Sequence, residues 1–507
     1  MIISVLMLVA ALCVVHMSWG QAEASPVEIR VVAADTGKLV QCRIHLMDSA
    51  GKAQRASGLP FWNDHFVCRG LARLELPPGK YTYEVERGPE YERRSGSLTV
   101  AAATGNKHSI ELKRLIDMVA EGWLSGDLHI HRPVEEVELL MQAEDLHVAP
   151  VITWWNNQNA WAKARIPSDP LYHFDGNRYY HVLAGEDERE GGALLFFNLN
   201  QPLAITGASR EYPSPVKFIE EARRKKQVWI DVEKPFWWDV PVWLATKQID
   251  SIGLANNHMC RDRMYEDEAW GKPRIVERLP APLGNGYWSQ EIYYHVLNCG
   301  LRIPPSAGSA SGVLPNPVGY DRVYVHVGPD LTYAKWWEGL RAGRSFVTNG
   351  PLLRVHADGH LPGHVFTVGE GKELSVEVKA ALTSRDPIRF LEIIKNGEVE
   401  RKVPFEDWSK TGTLGKLQFQ ESGWFLVRVV ADNPKTFRFA STAPYYVEVG
   451  QAKHRVSKAS AEFFLEWVRE RAKRVKVADA DKREEVLRHH SRAEQFWREL
   501  AGRTNAK

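Results

Sequence analysis

Cysteine is scarce in this 507-residue chain: there are five, at positions 13, 42, 68, 260 and 299. None forms a Cys-x-x-Cys, and no Cys/His spacing suggests a structural zinc module. Charge of one sign is also lacking. Lys and Arg total 65 against 63 Asp and Glu, a net charge of +2, and the basic residues are dispersed among acids. That balance gives a nucleic-acid partner no footing. Long apolar runs are missing as well, so no internal segment reads as a membrane span. The one apolar run, residues 2–15, is too short and too terminal for an ordinary spanning helix. Small-residue pairs at Ser18-x-Gly20 and Ala22-x-Ala24 follow it, and residues 1–24 read as a signal peptide, although no Lys or Arg opens the run. Leu12 before Cys13 argues against a lipoprotein signal. The expected product is a secreted or periplasmic protein with no membrane span in its mature form. An oxidising compartment permits disulfides. Cys42 and Cys68 share one small β-rich region and are expected to pair, the alternative being buried free thiols.

The length permits about three domains. Residues 25–115 read as short strands with turn signals, Pro77-Pro78-Gly79 among them, and suggest a β-sandwich. Residues 116–350 alternate strands with helical patterns, as in helix 214–226 before strand 228–232, which points to an α/β barrel. Residues 351–450 return to strands around an Asn396-Gly397 hairpin signal, predicting a second β-sandwich. Residues 451–507 are helical: Phe464, Val468 and Ala472 mark one face, and Val486, Ala493, Trp497 and Leu500 another. Asp481-x-x-Glu484 is placed to cap the last helix. This tail is expected to pack on the body, with a dimer contact as the alternative.

The most informative stretch is Asp127-Leu128-His129-Ile130-His131. Side chains alternate along a strand, so two histidines at i and i+2 point to one face and can grip one ion. Imidazole is the commonest metal ligand near neutral pH. Two histidines satisfied by core hydrogen bonds are the plain alternative.

Residues 126–157, GDLHIHRPVEEVELLMQAEDLHVAPVITWWNN, resemble the opening of a polymerase-and-histidinol-phosphatase (PHP) domain, and more narrowly a CehA/McbA metallohydrolase. The resemblance continues through VLAGEDERE (182–190), VWIDVEKPFWW (228–238) and IPPSAGSASG (303–312). It implies a distorted (β/α) barrel of PHP type with metals at the C-terminal ends of its strands. The family's His-x-His is kept as His129 and His131, and its glutamate after the third strand as Glu186. Five ligand positions depart from the pattern. Asp-His after the second strand has become Trp154-Trp155, Asn-His-Pro has become Glu233-Lys234-Pro235, and Gly-Ser-Asp-x-His reads Gly308-Ser309-Ala310-Ser311-Gly312.

The remaining residues suggest a rebuilt site for one divalent ion, zinc or manganese. His129, His131 and Glu186 are its expected ligands, with Glu233 and His258 as further candidates. Asp187 or Asp231 is a candidate general base, and Lys234 or Arg132 a candidate oxyanion stabiliser. Trp154, Trp155, Trp237 and Arg261 are candidate ligand-binding residues, with Trp238, Trp288, Arg189 and Arg263 close to the same motifs. Indoles suit a pocket wall but also simply fill cores. Two functions follow. One is a secreted metal-dependent hydrolase acting on an ester, phosphoester or sugar-linked small molecule. The other is a catalytically inactive PHP barrel that binds an anionic or carbohydrate ligand. A serine nucleophile in Gly308–Gly312 lacks a convincing strand-to-helix elbow.

Overall fold

The structure, a computed structural model, describes residues 23–102, 105–225, 227–328 and 331–506. The apolar run of the expected signal peptide falls in residues 1–22, outside those described. Among the described residues no helix is long and apolar enough to cross a membrane.

Two sheets face each other at the N-terminal end. One orders Leu71–Leu76, Ser25–Ala33 and Asn106–Leu112. The other orders Phe61–Trp62, His65–Cys68, Cys42–Met47, Gly79–Glu86 and Arg94–Val100. Alternation sets the packing: Val27, Ile29 and Val31 turn inward against Ile44, Leu46, Phe66 and Val85. Cys42 and Cys68 lie directly opposite each other in this register. The expected disulfide is not formed: both are free buried thiols, their sulfurs 3.8 Å apart. They pack as small apolar side chains in the sandwich core.

Seven strands then close a ring: Trp123–Gly126, Val148–Trp155, Arg178–Arg189, Gly192–Phe197, Trp229–Val232, Ser251–Ala255 and Pro305–Ala307. The first three are parallel, as are the last three. The fourth is antiparallel to both neighbours. It is the return arm of a tight hairpin, where Arg189 pairs with Gly192 and Gly192 sits at φ +114°. Closure comes from the Leu128 amide on the Ala307 carbonyl, at 3.0 Å, and from parallel bridges of Ile130 to Val151 and to Ser311. Helices Val137–Ala143, Val216–Arg223, Val240–Ala245 and Gly284–Asn298 lie between the strands. With both faces covered, stretches such as Leu194–Phe197 are apolar on both sides.

The C-terminal strands form the expected second β-layer but are not separate from the ring. Strand Phe439–Thr442 pairs with Ser345–Thr348, that strand with Arg322–His326, and that one with Trp123–Gly126. Trp123, Tyr324 and Phe346 therefore belong to the core of the C-terminal sheets. Asn396 and Gly397 make the predicted hairpin turn, both at positive φ. Helices Lys458–Arg474 and Ala480–Ala501 dock on the body through Phe464, Trp467, Val468 and Trp497, as the one-face pattern requires. The cap of the last helix is Asp479 rather than Asp481, accepting from the Lys482 amide at 3.1 Å.

Candidate metal centre

The segment Asp127–His131 runs on from strand Trp123–Gly126 into the ring closure. The buried Asp127 carboxylate fixes it. It accepts the amides of His129 (3.0 Å), Ser309 (3.0 Å) and Gly319 (2.7 Å) and the Ser309 hydroxyl (2.5 Å). The His131 amide meets the Ser311 carbonyl at 2.8 Å. The glycines of Gly308–Gly312 now have a reason. A Cβ on Gly308 would come within 2.4 Å of the His129 Cβ, and Gly312 sits at φ +103° against the His131 carbonyl.

His129 and His131 turn to one side, their Nε2 atoms 3.0 Å apart. Glu186, from strand Arg178–Arg189, meets both: its Oε2 lies 3.1 Å from His131 Nε2 and 3.4 Å from His129 Nε2. That oxygen is buried with no aligned hydrogen-bond donor. Two imidazole nitrogens and an orphaned carboxylate oxygen converging at this spacing suit a common cation. Ligands about 2.0–2.2 Å from one tetrahedral zinc stand roughly 3.3–3.6 Å apart, so the 3.4 Å pair fits and the pairs at 3.0 and 3.1 Å would open slightly around an ion. His129, His131 and Glu186 thus form a group able to hold a metal ion.

Glu233 stands behind the trio. Its Oε1 is 3.4 Å from His129 Nδ1, the far side of the ring. With an ion bound, an Nδ1–H aimed at this carboxylate would leave the Nε2 lone pair for the metal, the carboxylate–histidine arrangement that orients metal ligands. Lys234 Nζ reaches both Glu233 oxygens, at 2.7 and 2.6 Å, and the Trp237 indole N–H donates to Oε2 at 2.9 Å. Burial opposes ionising Glu233, but Lys234 and His129 outweigh it and bring its pKa down to about 2. Burial would also strip the His129 proton, yet Glu186 and Glu233 raise its pKa to about 10. His131 goes the other way, lowered chiefly by burial. The buried carboxylates therefore hold positive charge at His129, which is the charge an ion would supply.

The structure does not bring every expected residue to this point. Asp187 points away, fully buried, and grips Arg189 through both oxygens at 2.5 and 2.7 Å. Alternation from Glu186 requires that. Asp231 lies inside the ring, bonded to the Ser251 and Ser306 hydroxyls, and burial lifts its pKa to about 7. His258 is packed between Phe236 and Tyr265, ring centroids 5.4 and 5.5 Å away, with Nδ1 on the Asp267 carbonyl at 3.1 Å. Burial first, then Lys234, depress its pKa to about 3. Arg132 pairs with Glu136 four residues on and turns to the N-terminal sandwich, where it meets the Phe61 carbonyl and lies over Trp62. Arg261 goes to the same interface, paired with Glu84 and near Asp64.

The tryptophans divide. Trp154 fills the core, stacked on Phe196 and pressed on Gly185. Trp238 packs under Lys272 and Arg474, and Trp288 bonds the Lys272 carbonyl. Trp155 belongs to the site: its ring is 4.9 Å from His131 and its indole N–H donates to Glu188 Oε2 at 3.1 Å. Trp237 holds Glu233.

Two residues escaped sequence reasoning. Asp127 was read as part of the motif but not as its anchor. Glu188 is partly exposed, and burial plus the nearby Glu186 raise its pKa to about 7. It sits at i+2 from Glu186 on one strand, so the alternation that paired the histidines also pairs these glutamates. Comparison with family models, with curated proteins and with solved structures returned no match.

Proposed function

We propose that this chain is a secreted metal-dependent hydrolase of the PHP, CehA/McbA-like type, acting on an ester, phosphoester or sugar-linked bond. The observation that carries this reading is the convergence of His129 Nε2, His131 Nε2 and Glu186 Oε2, an oxygen with no aligned hydrogen-bond donor. One zinc or manganese ion is the proposed cofactor, since two imidazoles and a carboxylate suit either. Bound there, it would lower the pKa of a water towards neutrality and polarise the scissile group.

The chain's own residues supply the rest. The Glu233 carboxylate faces His129 Nδ1 at 3.4 Å, and Lys234 and Trp237 hold Glu233. Asp127 fixes the backbone between the histidines and Ser309. Glu188 is the partly exposed carboxyl beside the trio, one oxygen on Trp155, and is placed to pass a proton between site and solvent. That role was expected of Asp187 or Asp231, but Asp187 has both oxygens on Arg189, and Asp231 takes the Ser251 and Ser306 hydroxyls on Oδ1 inside the fold.

The test pairs elemental analysis of the purified protein with a hydrolase substrate screen. The reading expects one ion per chain, lost together with hydrolysis in the His129→Ala/His131→Ala variant. A wild type that carries no metal and hydrolyses nothing would leave the inactive binding barrel as the better account.

A further inference from the structure

The sequence gathers five cations near the candidate site, and each is matched by a carboxylate of this chain. Arg132 pairs with Glu136, Arg189 with Asp187, Lys234 with Glu233 and Arg261 with Glu84, while the half-exposed Arg263 meets Asp262 only loosely, at 3.5 Å. Arg189 also closes on the carbonyls of Ser209 and Pro213, at 3.1 and 2.7 Å. A phosphate or sulfate ester is usually gripped by guanidinium forks or ammonium groups free to face its oxygens. Freeing Arg189 or Lys234 would strand Asp187 or Glu233 as an unpaired buried carboxylate, which is strongly unfavourable. With a divalent ion in the trio, Glu186, Glu233 and Lys234 leave a surplus of one positive charge. That falls short of a phosphate dianion.

The solvent side of the trio has a different chemistry. His131 and Trp155 are partly exposed with their rings 4.9 Å apart. Asn157 and Gln158 follow, both exposed, and Glu188 borders Trp155 with one oxygen on its indole N–H. Further out Trp270 is 38% exposed and stacks on Trp237 at 5.0 Å, with Arg210, itself paired with Glu190, 5.5 Å from its ring. Indole faces pack against the C–H faces of sugar rings, while amides and carboxyls exchange hydrogen bonds with hydroxyls. We infer that the molecule entering at the His131–Trp155 face is a neutral, hydroxyl-rich carbohydrate, not a phosphate- or sulfate-bearing one. For the reaction this rests on the hydrolase reading; for binding it does not.

Zinc-loaded wild type is screened on an array of neutral glycans with their sulfated and phosphorylated counterparts, and hits are measured by calorimetry. Neutral members should bind, and their charged counterparts at least about ten-fold more weakly. Affinity should change little between about 50 and 500 mM salt. Trp155→Ala should weaken binding about ten-fold, and Trp155→Phe should restore most of it. Binding confined to charged members, no binding of any neutral member, or indifference to Trp155 overturns the inference. Metal content and turnover are read on the same samples. Protein without metal that still binds neutral glycans through Trp155 removes the hydrolase and keeps this inference. A metal-loaded enzyme that takes only phosphoesters does the reverse.

Discussion

His45, Asp64 and His65 in the N-terminal sandwich match His129, His131 and Glu186 in residue type and closeness: in each group the ligand atoms lie within 4.8 Å of one another. They differ in where the protons and the guanidiniums are. Arg43 Nε donates to His45 Nε2 at 3.0 Å, so the His45 proton must sit on Nδ1, aimed at Asp64 at 3.1 Å. His65 Nδ1 meets the other Asp64 oxygen at 3.0 Å, and Arg261 stands 3.4 Å from His45 and 3.5 Å from Asp64. His45 Nε2 and both Asp64 oxygens already have donors, and a cation would meet two guanidiniums. In the ring, the ammonium and guanidinium groups are paired elsewhere and the Nε2 atoms face an orphaned carboxylate oxygen. Clustered ligand types are not a metal site until their lone pairs are free to face one point.

The largest effect expected from this contrast is the asymmetry between two alanine experiments. His129→Ala/His131→Ala should abolish stoichiometric metal and lower any hydrolysis by orders of magnitude, because no activated water remains. His45→Ala should leave metal content unchanged. Plasma mass spectrometry of both variants checks this, and metal lost from His45→Ala would break the comparison.

A smaller effect is expected behind the ligands. Glu233→Gln keeps a hydrogen-bond acceptor for His129 but loses the charge and the Lys234 pair. Metal affinity should fall about 10–100-fold while saturating metal still fills the site. Competition with a chromogenic chelator measures it; unchanged affinity would show that Glu233 does not orient His129.

The pH dependence of stability separates the two regions by sign. His65 is depressed to about 3 by burial, so its contribution is present above about pH 6.5 and is lost as pH falls towards 3. Asp231 is raised to about 7 by burial, so its contribution is present below about pH 4 and is lost as pH rises to 7. Asp231→Asn should therefore gain on wild type between pH 4 and 8, by at most roughly 4 kcal/mol. Urea melts across that range test it, and a constant difference would contradict it. The smallest effect concerns Cys42 and Cys68. As free thiols they should both alkylate in denaturant without reductant, and reductant should leave the melting temperature unchanged.

Much of this was legible in the sequence where one rule governs. Period-two alternation placed His129 and His131 on one face, and the Asn396-Gly397 turn fell where its φ demands predicted. The same alternation, applied to Glu186, would have chosen Glu188 over Asp187. What the sequence hides is pairing between distant segments. Arg132 and Arg261 look like site cations until the N-terminal sandwich is seen to take them, through Phe61, Glu84 and Asp64. Nor did the apolar strands of the barrel segment announce that one would return antiparallel, since burial on both faces erases the direction signal. Glu233 was expected as a metal ligand, but its carboxylate stands 3.4 Å from His129 Nδ1, on the far side of the ring from Nε2, which sequence spacing does not show.

The most direct test of the central claim is to locate the ion. An anomalous difference map is recorded at the metal's absorption edge from crystals of protein purified with its native metal. One peak should lie between His129 Nε2, His131 Nε2 and Glu186 Oε2, with none at Asp64. A peak among His45, Asp64 and His65, or none at the histidine pair, would contradict the account.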